Sequence, residues 1–490
     1  MKQVVNQAMR VVLAVFLWGS GQNVLWAAET RPNIVMILID DMGWSDFSCF
    51  GNQDAKTPNI DRMAVEGIRF EQFYVNSPIC SPSRCALTTG QYPQRWRISS
   101  YLDNRQTNER RGMAQWLDPA AVTLPRLLQS AGYATGHFGK WHLGGQRDVD
   151  DAPAITEYGF HESLTNFEGM GAKLLPMTLK PGEPQPGRIW QDAERLGGPV
   201  IWMQRSEITG GFVNAAVPFI RRAAAAGKPF YVNVWPDDVH SPYWPPVARW
   251  GDGDRRQLYL SVLEEMDRQL GPLFDSIRES PELRDNTLIL ICSDNGPDAG
   301  AGRAGAFRGT KATLFEGGIR SPLVVWGPGL MNPDAVGSTN SRSVLAAFDL
   351  VPSLLSMTEE PPPDRVPFDG ENLSEVLLGH STDSRRQPLF WRRPPDREYA
   401  YGSGPLPDLA VREGDWKLLC DYDGSRAELY RLSNDPGESM NLAEQSPEIV
   451  TQLTAKVVGW HQSLPADNGP ALGKEVPPAA QKKKQKKTAR

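Results

Sequence analysis

The sequence predicts an α/β protein: a large, mostly parallel sheet covered by helices on both faces, then a smaller C-terminal subdomain with an antiparallel sheet and a helix. Three observations carry this reading. Ile34–Ile39 and Leu288–Cys292 are unbroken apolar runs, the pattern of strands buried on both faces. Helical patterns at Ile60–Gly67, Val122–Ala131 and Leu258–Leu270 alternate with such runs, as crossover helices alternate with parallel strands. Beyond Pro361-Pro362-Pro363 the runs shorten and turn residues separate them.

Taken in order, the chain opens with Lys2 and Arg10, an apolar run at Val11–Trp18 and small residues at Ala27-Ala28. That pattern predicts a secretory signal peptide over residues 1–28, too short to span a bilayer, and a mature chain in the periplasm or outside the cell. Residues 29–360 are expected to form the catalytic α/β domain. Within it Ile34–Ile39 ends in Asp40-Asp41, and Tyr231–Trp235 precedes His240. Leu288–Cys292 ends in Ser293-Asp294-Asn295, and Leu323–Trp326 is a fourth strand. Polar residues at the C-terminal ends of strands are where open α/β sheets place their sites. Residues 361–470 are expected to form the C-terminal subdomain. There Ala410–Arg412, Trp416–Cys420 and Glu428–Arg431 are short strands separated by turns such as Glu413-Gly414-Asp415, and Pro447–Ser463 closes as a helix. Residues 471–490 read as a disordered basic tail.

A length of 490 residues allows up to about three domains at roughly 150 residues each. With 40% hydrophobic and 22% charged residues the chain can bury a large core. Its 52 Lys+Arg against 58 Asp+Glu, a net charge of −6, argue against a nucleic-acid-binding body. The five cysteines are an odd number, so at least one thiol has no internal partner. Six histidines are too few for a two-zinc centre.

Cys80-Ser81-Pro82-Ser83-Arg84 is the sharpest local signal. Pro82 suits a first helical turn, Ser81 can cap it, and Gly90 can end the helix. Cys80 then sits at a helix N-terminus, where backbone N–H groups favour an anion, although an ordinary capping thiol has the same spacing. Asp40, Asp41, Asp294 and Asn295 form an all-oxygen donor set, which suits Ca²⁺ or Mg²⁺ rather than zinc. Trp235, Trp244 and Trp250 flank His240 and suit either sugar stacking or core packing. Asp237, Asp238 and Arg205 are expected in loops near the site, and His137 reads as a plain strand residue.

Cys80-x-Pro82-x-Arg84, with its small-residue helix and Thr89-Gly90, resembles the signature of the type I, formylglycine-dependent sulfatases of the alkaline phosphatase superfamily. The second signature of that family is matched by Gly132 through His142. Asp40–Trp44, Thr57–Asp61, Ser293–Gly296, Lys311 through Glu316–Arg320, Asp369-Gly370 and Asp435–Glu438 fit as well. The nearest look is to arylsulfatase A-like and N-acetylgalactosamine-6-sulfatase-like enzymes. Gln91 and Val239 depart, where many members have Arg and Pro.

The resemblance implies that a formylglycine-generating maturation enzyme oxidises Cys80 and that the hydrated aldehyde attacks sulfur. It implies a calcium ion, with magnesium the second choice, on Asp40, Asp41, Asp294, Asn295 and residue 80. Arg84 would balance charge, and Lys140 and Lys311 would clamp sulfate oxygens. His240 would protonate the leaving alcohol. His142 would take a proton from the second hydroxyl and so expel sulfate. The implied substrate is a sulfated carbohydrate, a glycosaminoglycan or algal polysaccharide fragment. Two other readings stay open: a phosphate or phosphonate monoester hydrolase with the same nucleophile, and a catalytically dead secreted carbohydrate-binding protein. The complete residue set argues against the second.

Overall fold

Asn33–Ile39 is buried along its whole length and forms the centre of the main sheet. The computed structural model describes residues 31–358, 367–397 and 405–467. The signal-peptide reading, the triple proline at 361–363 and the basic tail lie outside these residues.

In chain order the strands of the main sheet are β1 (Asn33–Ile39), β2 (Ile68–Tyr74), β3 (Ala134–Gly139), β4 (Glu162–Thr165), β5 (Lys173–Thr178), β6 (Gly187–Arg188), β7 (Val200–Gln204), β8 (Phe230–Trp235), β9 (Thr287–Ser293), β10 (Arg320–Trp326), β11 (Thr339–Asn340) and β12 (Leu345–Ala346). The spatial order is β11-β2-β10-β9-β1-β8-β3-β4-β5-β6, with β12 on β2 and β7 on β5. The middle of the sheet is parallel: β1 pairs with β8 and β9, and β3 with β4 and β8. The Leu323–Trp326 run lies in β10, which is antiparallel to both its neighbours, β9 and β2. Apolar runs record burial on both faces, not strand direction, so the sequence could not show this.

Alternation along β1 sends Ile34, Met36 and Leu38 into one core and Val35, Ile37 and Ile39 into the other. The first core is closed by the Cys80–Thr89, Leu124–Ser130 and Leu350–Ser356 helices. The second is closed by Ile208–Ala225 and Arg255–Arg278. Covering both faces is what lets the central strands be continuously apolar.

The second sheet is antiparallel in the order β13 (Leu389–Arg392), β14 (Leu409–Glu413), β15 (Trp416–Cys420) and β16 (Glu428–Arg431). Glu413 pairs with Trp416 across Gly414, which takes a left-handed φ of 57°. One face packs Val411, Leu418 and Leu429 on the Pro447–Gln462 helix. The other packs Ala410, Leu419 and Tyr430 with Tyr74, Ala86 and Ile319 of the main body. Behind that face Lys417 is fully buried between Glu316 Oε1, 2.9 Å away, and Glu438 Oε1, 2.8 Å away.

Candidate active site

β1 and β9 run side by side with Ile39 opposite Ser293, so Asp40-Asp41 and Asp294-Asn295 leave the sheet together. Asp41 turns into the left-handed region, and its N–H donates to Asp294 Oδ1 at 3.2 Å. Next to them β3 ends in Gly139, followed by Lys140 and His142, and the loop after β8 carries His240. Gly296 must be glycine: a Cβ there would lie 2.0 Å from the Gly317 carbonyl oxygen. That close approach seats Asp294-Asn295-Gly296 against the Glu316–Ile319 turn that follows Lys311.

Cys80 is the first residue of a ten-residue helix that is buried throughout and ended by Gly90 at φ 70°. Ser81 does not cap this helix as expected. Its hydroxyl instead accepts the Leu102 N–H at 3.0 Å, which fixes the neighbouring loop. All five cysteines are free thiols. Burial pushes the Cys80 thiol above its ordinary range.

The charged groups interlock. Arg84 lies 2.8 Å from Asp294 Oδ2, donates to the Lys140 carbonyl at 2.6 Å and stacks over Trp235. Lys140 Nζ lies 2.7 Å from Asp40 Oδ2 and 3.0 Å from Glu168 Oε2. Lys311 Nζ sits 2.5 Å from Asp41 Oδ1 and 2.6 Å from Oδ2. His240 Nε2 is 3.5 Å from Asp41 Oδ2, and its Nδ1 is 2.7 Å from the Ser241 carbonyl. His142 Nε2 lies 2.9 Å from the Leu102 carbonyl, an acceptor, so this nitrogen carries the proton. Its buried Nδ1 has no hydrogen-bond partner, and burial lowers its pKa to about 4. His142 is therefore a neutral imidazole with a free lone pair.

The donor set fits a hard cation. Oxygens of Asp40, Asp41 and Asp294 lie within 4.8 Å of one another and are buried. Asp40 Oδ1 and Asn295 Oδ1 are buried without hydrogen bonds. Burial and the neighbouring Asp40 charge push the Asp294 carboxyl well above its usual range. For Asp40 burial acts in the same sense, but Lys140, His240 and Arg84 outweigh it and hold the carboxyl low. Three clustered carboxylates, with Asp40 Oδ1 and Asn295 Oδ1 buried and unpartnered among them, would be relieved by a divalent ion.

A cleft of about 710 Å³ opens above this floor. Cys80, Lys140, His142, His240 and Lys311 all line it. The structure thus gathers every one of these sequence-expected residues, with Arg84, Asp40, Asp41, Asp294 and Asn295 directly beneath through the contacts above. The packing also decides between the two uses open to the tryptophans and corrects the place expected for Arg205, Asp237 and Asp238. Trp235 is fully buried under Arg84, and Trp244 packs edge-on against Trp250, so none of the three lines the cleft. Arg205 and Asp237 are buried and paired at 2.7 Å, and Asp238 accepts from Thr209. Their burial leaves nothing to offer a sugar. His137 is a buried strand residue packed on Trp141 and Trp235, as read.

Glu168 was not anticipated. It lines the cleft, holds Lys140, and lies 3.4 Å from His142 Nε2. Burial raises its carboxyl, but His142 and Lys140 outweigh this and bring it down to about 2. Its loop is pinned by buried Lys173, which donates to the carbonyls of Asn166 and Gly169 on either side. A single Glu in a loop carries no spacing signal.

Eight described non-glycine residues have positive φ, and five are Asp41, His142, Arg147, Trp190 and Ala312. His142, Arg147 and Trp190 line the cleft, Asp41 lies on its floor, and Ala312 follows Lys311. Such conformations cost about 1–3 kcal/mol each and cluster where a side chain must be aimed.

Sheet and site together have the parts of a hydrolase, with a candidate nucleophile, two lysines and two histidines in one cleft. Residues 32–360 match the sulfatase family model, and residues 304–462 match that of the N-sulphoglucosamine sulphohydrolase C-terminal region. The chain belongs to the sulfatase family, whose members are sulfuric ester hydrolases. It is 32% identical over 485 residues to N-acetylgalactosamine-6-sulfatase of Canis lupus familiaris, covering 91% of this chain and 88% of that one. It is 29% identical over 470 residues to arylsulfatase A of Homo sapiens, covering 87% of each. The crystal structure of Ps i-CgsB in complex with k-i-k-neocarrahexaose has the same fold, with a TM-score of 0.73 at 24% identity, over 89% of this chain and 94% of that one. Among the described residues no helix is long and apolar enough to cross a membrane.

Proposed function

We propose that this chain is an exported sulfatase that hydrolyses a sulfate ester on a sulfated carbohydrate, a glycosaminoglycan or algal polysaccharide fragment. The observation that carries the reading is the convergence of Cys80, Lys140, His142, His240 and Lys311 on one cleft above three buried carboxylates. Formylglycine at position 80, made by a maturation enzyme, supplies a hydrated aldehyde as nucleophile, and calcium on Asp40, Asp41, Asp294, Asn295 and residue 80 supplies Lewis acidity. Calcium suits this cradle of side-chain oxygens better than magnesium, which keeps several waters.

The chain's own residues do the rest. Lys140 and Lys311 present ammonium groups to the cleft and hold sulfate oxygens as charge redistributes. Arg84, buried against Asp294, keeps the carboxylate cluster from repelling the substrate. His240 stands at the cleft wall and gives a proton to the leaving alcohol oxygen. His142 receives a proton at Nδ1 from a hydroxyl at position 80, with Nε2–H anchored on Leu102. Residues 29–360 carry this chemistry. Of the C-terminal segment, residues 367–397 and 405–467 buttress them and lend Arg397 to the cleft.

The test is sulfate release from sulfated oligosaccharides by enzyme whose position 80 is shown by mass to be an aldehyde, with phosphate and phosphonate monoesters in parallel. Release of sulfate above phosphate supports the reading. Faster phosphate or phosphonate turnover overturns it in favour of a phosphoester hydrolase.

A further inference from the structure

The cleft is larger than a sulfate group needs, and its outer part is built differently from its floor. On the floor Lys140 and Lys311 are 3% and 15% exposed, whereas Arg147, Arg195 and Arg397 on the outer wall are 56%, 43% and 34% exposed. These three arginines come from separate segments: the loop after β3, the turn between β6 and β7, and the loop after β13. Each touches one carboxylate: Arg147 Nε on Asp103 at 2.5 Å, Arg195 Nη1 on Asp150 at 2.9 Å and Arg397 Nη1 on Asp396 at 3.0 Å. Arg397 also donates to the Asp396 backbone carbonyl at 3.2 Å and lies over Tyr101, whereas Arg147 and Arg195 each meet their carboxylate through one nitrogen, an orientation that suits the rest of the guanidinium fork to a carboxylate or sulfate.

The same cleft carries an aromatic platform. Trp190 stacks on Phe167 with ring centroids 3.8 Å apart and lines the cleft half-buried. Its left-handed backbone is held by the Gln191–Leu196 turn, whose Ala193 and Leu196 pack with Leu175 in a small core of their own. Arg147 is likewise held in a left-handed conformation. Asp148 and Asp192 also line the cleft, so an anion there must be met by the arginine forks directly rather than by a net positive field.

We propose that the outer cleft is a subsite for a second anionic group: the sugar next to the sulfated one stacks on Trp190 while Arg147, Arg195 and Arg397 hold its carboxylate or sulfate. The inference rests on the sulfated-carbohydrate reading and narrows it to oligosaccharides with acidic neighbours.

The test separates binding from turnover. The full chain carrying Cys80→Ala is titrated by calorimetry with three sulfated disaccharides. Their second sugars carry a uronate, a second sulfate, or a carboxyl-reduced neutral unit. Binding of either acidic probe at least tenfold tighter than the neutral one, with the preference falling to below threefold in Arg147→Ala/Arg195→Ala, supports the subsite, and the better probe tells carboxylate from sulfate. Trp190→Ala should weaken all three probes about equally. Equal affinity for acidic and neutral probes, or a preference that survives the double variant, overturns the proposal. If the acidic preference holds while the aldehyde-bearing enzyme releases no sulfate from any probe, the hydrolytic reading fails and the subsite stands.

Discussion

Lys417→Met tests how the C-terminal sheet is tied to the catalytic body. The Lys417 ammonium is fully buried between Glu316 and Glu438, 2.9 and 2.8 Å away. Methionine keeps the length of the side chain but removes the ammonium that bridges two buried carboxylates. Breaking a buried ion pair by removing one partner costs about 3–5 kcal/mol. The cost depends on pH in a defined sense. Burial raises the Glu438 carboxyl from 4.5 to about 7 even with Lys417 present. Its folded value lies above its unfolded one, so folding takes up a proton. That contribution is full below about pH 4.5 and is lost as pH rises through about 7, a window worth about 3 kcal/mol. Without Lys417 the folded value climbs further, and the rise from about 7 to 8 adds about 1.4 kcal/mol to the penalty at pH 8, after which Glu438 stays protonated in the folded state. At pH 5.5 Glu438 is already protonated, and Arg320 still pairs with Glu316 at 3.2 Å. Urea unfolding followed by tryptophan fluorescence at both pH values reads the difference. The variant should lose at least 3 kcal/mol at pH 8 and clearly less at pH 5.5. Adding Glu438→Gln should restore part of the loss at pH 8. A loss under about 1 kcal/mol at pH 8, or an equal loss at both pH values, would refute the argument.

Four further outcomes are expected. Asp294→Ala should weaken calcium binding by at least a hundredfold by calorimetry; unchanged affinity removes Asp294 from the metal cradle. His240→Ala should slow esters of poor leaving alcohols at least tenfold more than activated aryl sulfates, and equal losses show that it is not the acid. Lys173→Met frees the carbonyls on either side of Glu168, so kcat should fall several-fold with circular dichroism unchanged; wild-type kcat means the Glu168 loop holds itself. Chelation of calcium should lower the urea midpoint of the wild type more than that of Asp294→Ala, and an equal shift places the stabilising ion elsewhere.

Much of the fold was legible because β1 and β9 are buried on both faces and so lack polar interruptions. The same burial makes Asp40, Asp41 and Asp294 conspicuous, since a charge ending an apolar strand needs a reason. β2 was missed: Ile68-Arg69-Phe70-Glu71-Gln72-Phe73-Tyr74 is only partly buried and reads as mixed sequence. β4, β6 and β7 are short and bear exposed residues, so periodicity had little to act on. The reversal of β10 was invisible because direction is set by pairing, not by composition. In the site, groups with fixed spacing were found, from Cys80 with Arg84 to Lys140 with His142. Glu168, Arg147, Trp190 and Arg195 were not, because only the folded loops bring them together. Of the two uses open to the tryptophans beside His240, packing is the one they have: nearness in sequence places them around the site, not in the cleft.

The most direct test of the central claim is sulfate release from a panel of sulfated mono- and oligosaccharides, with calcium present, position 80 verified as an aldehyde, and Cys80→Ala alongside. The account predicts release from at least one carbohydrate sulfate and none from the variant, whose circular dichroism matches the parent. Silence across the panel from verified enzyme, or release that persists in Cys80→Ala, would contradict it.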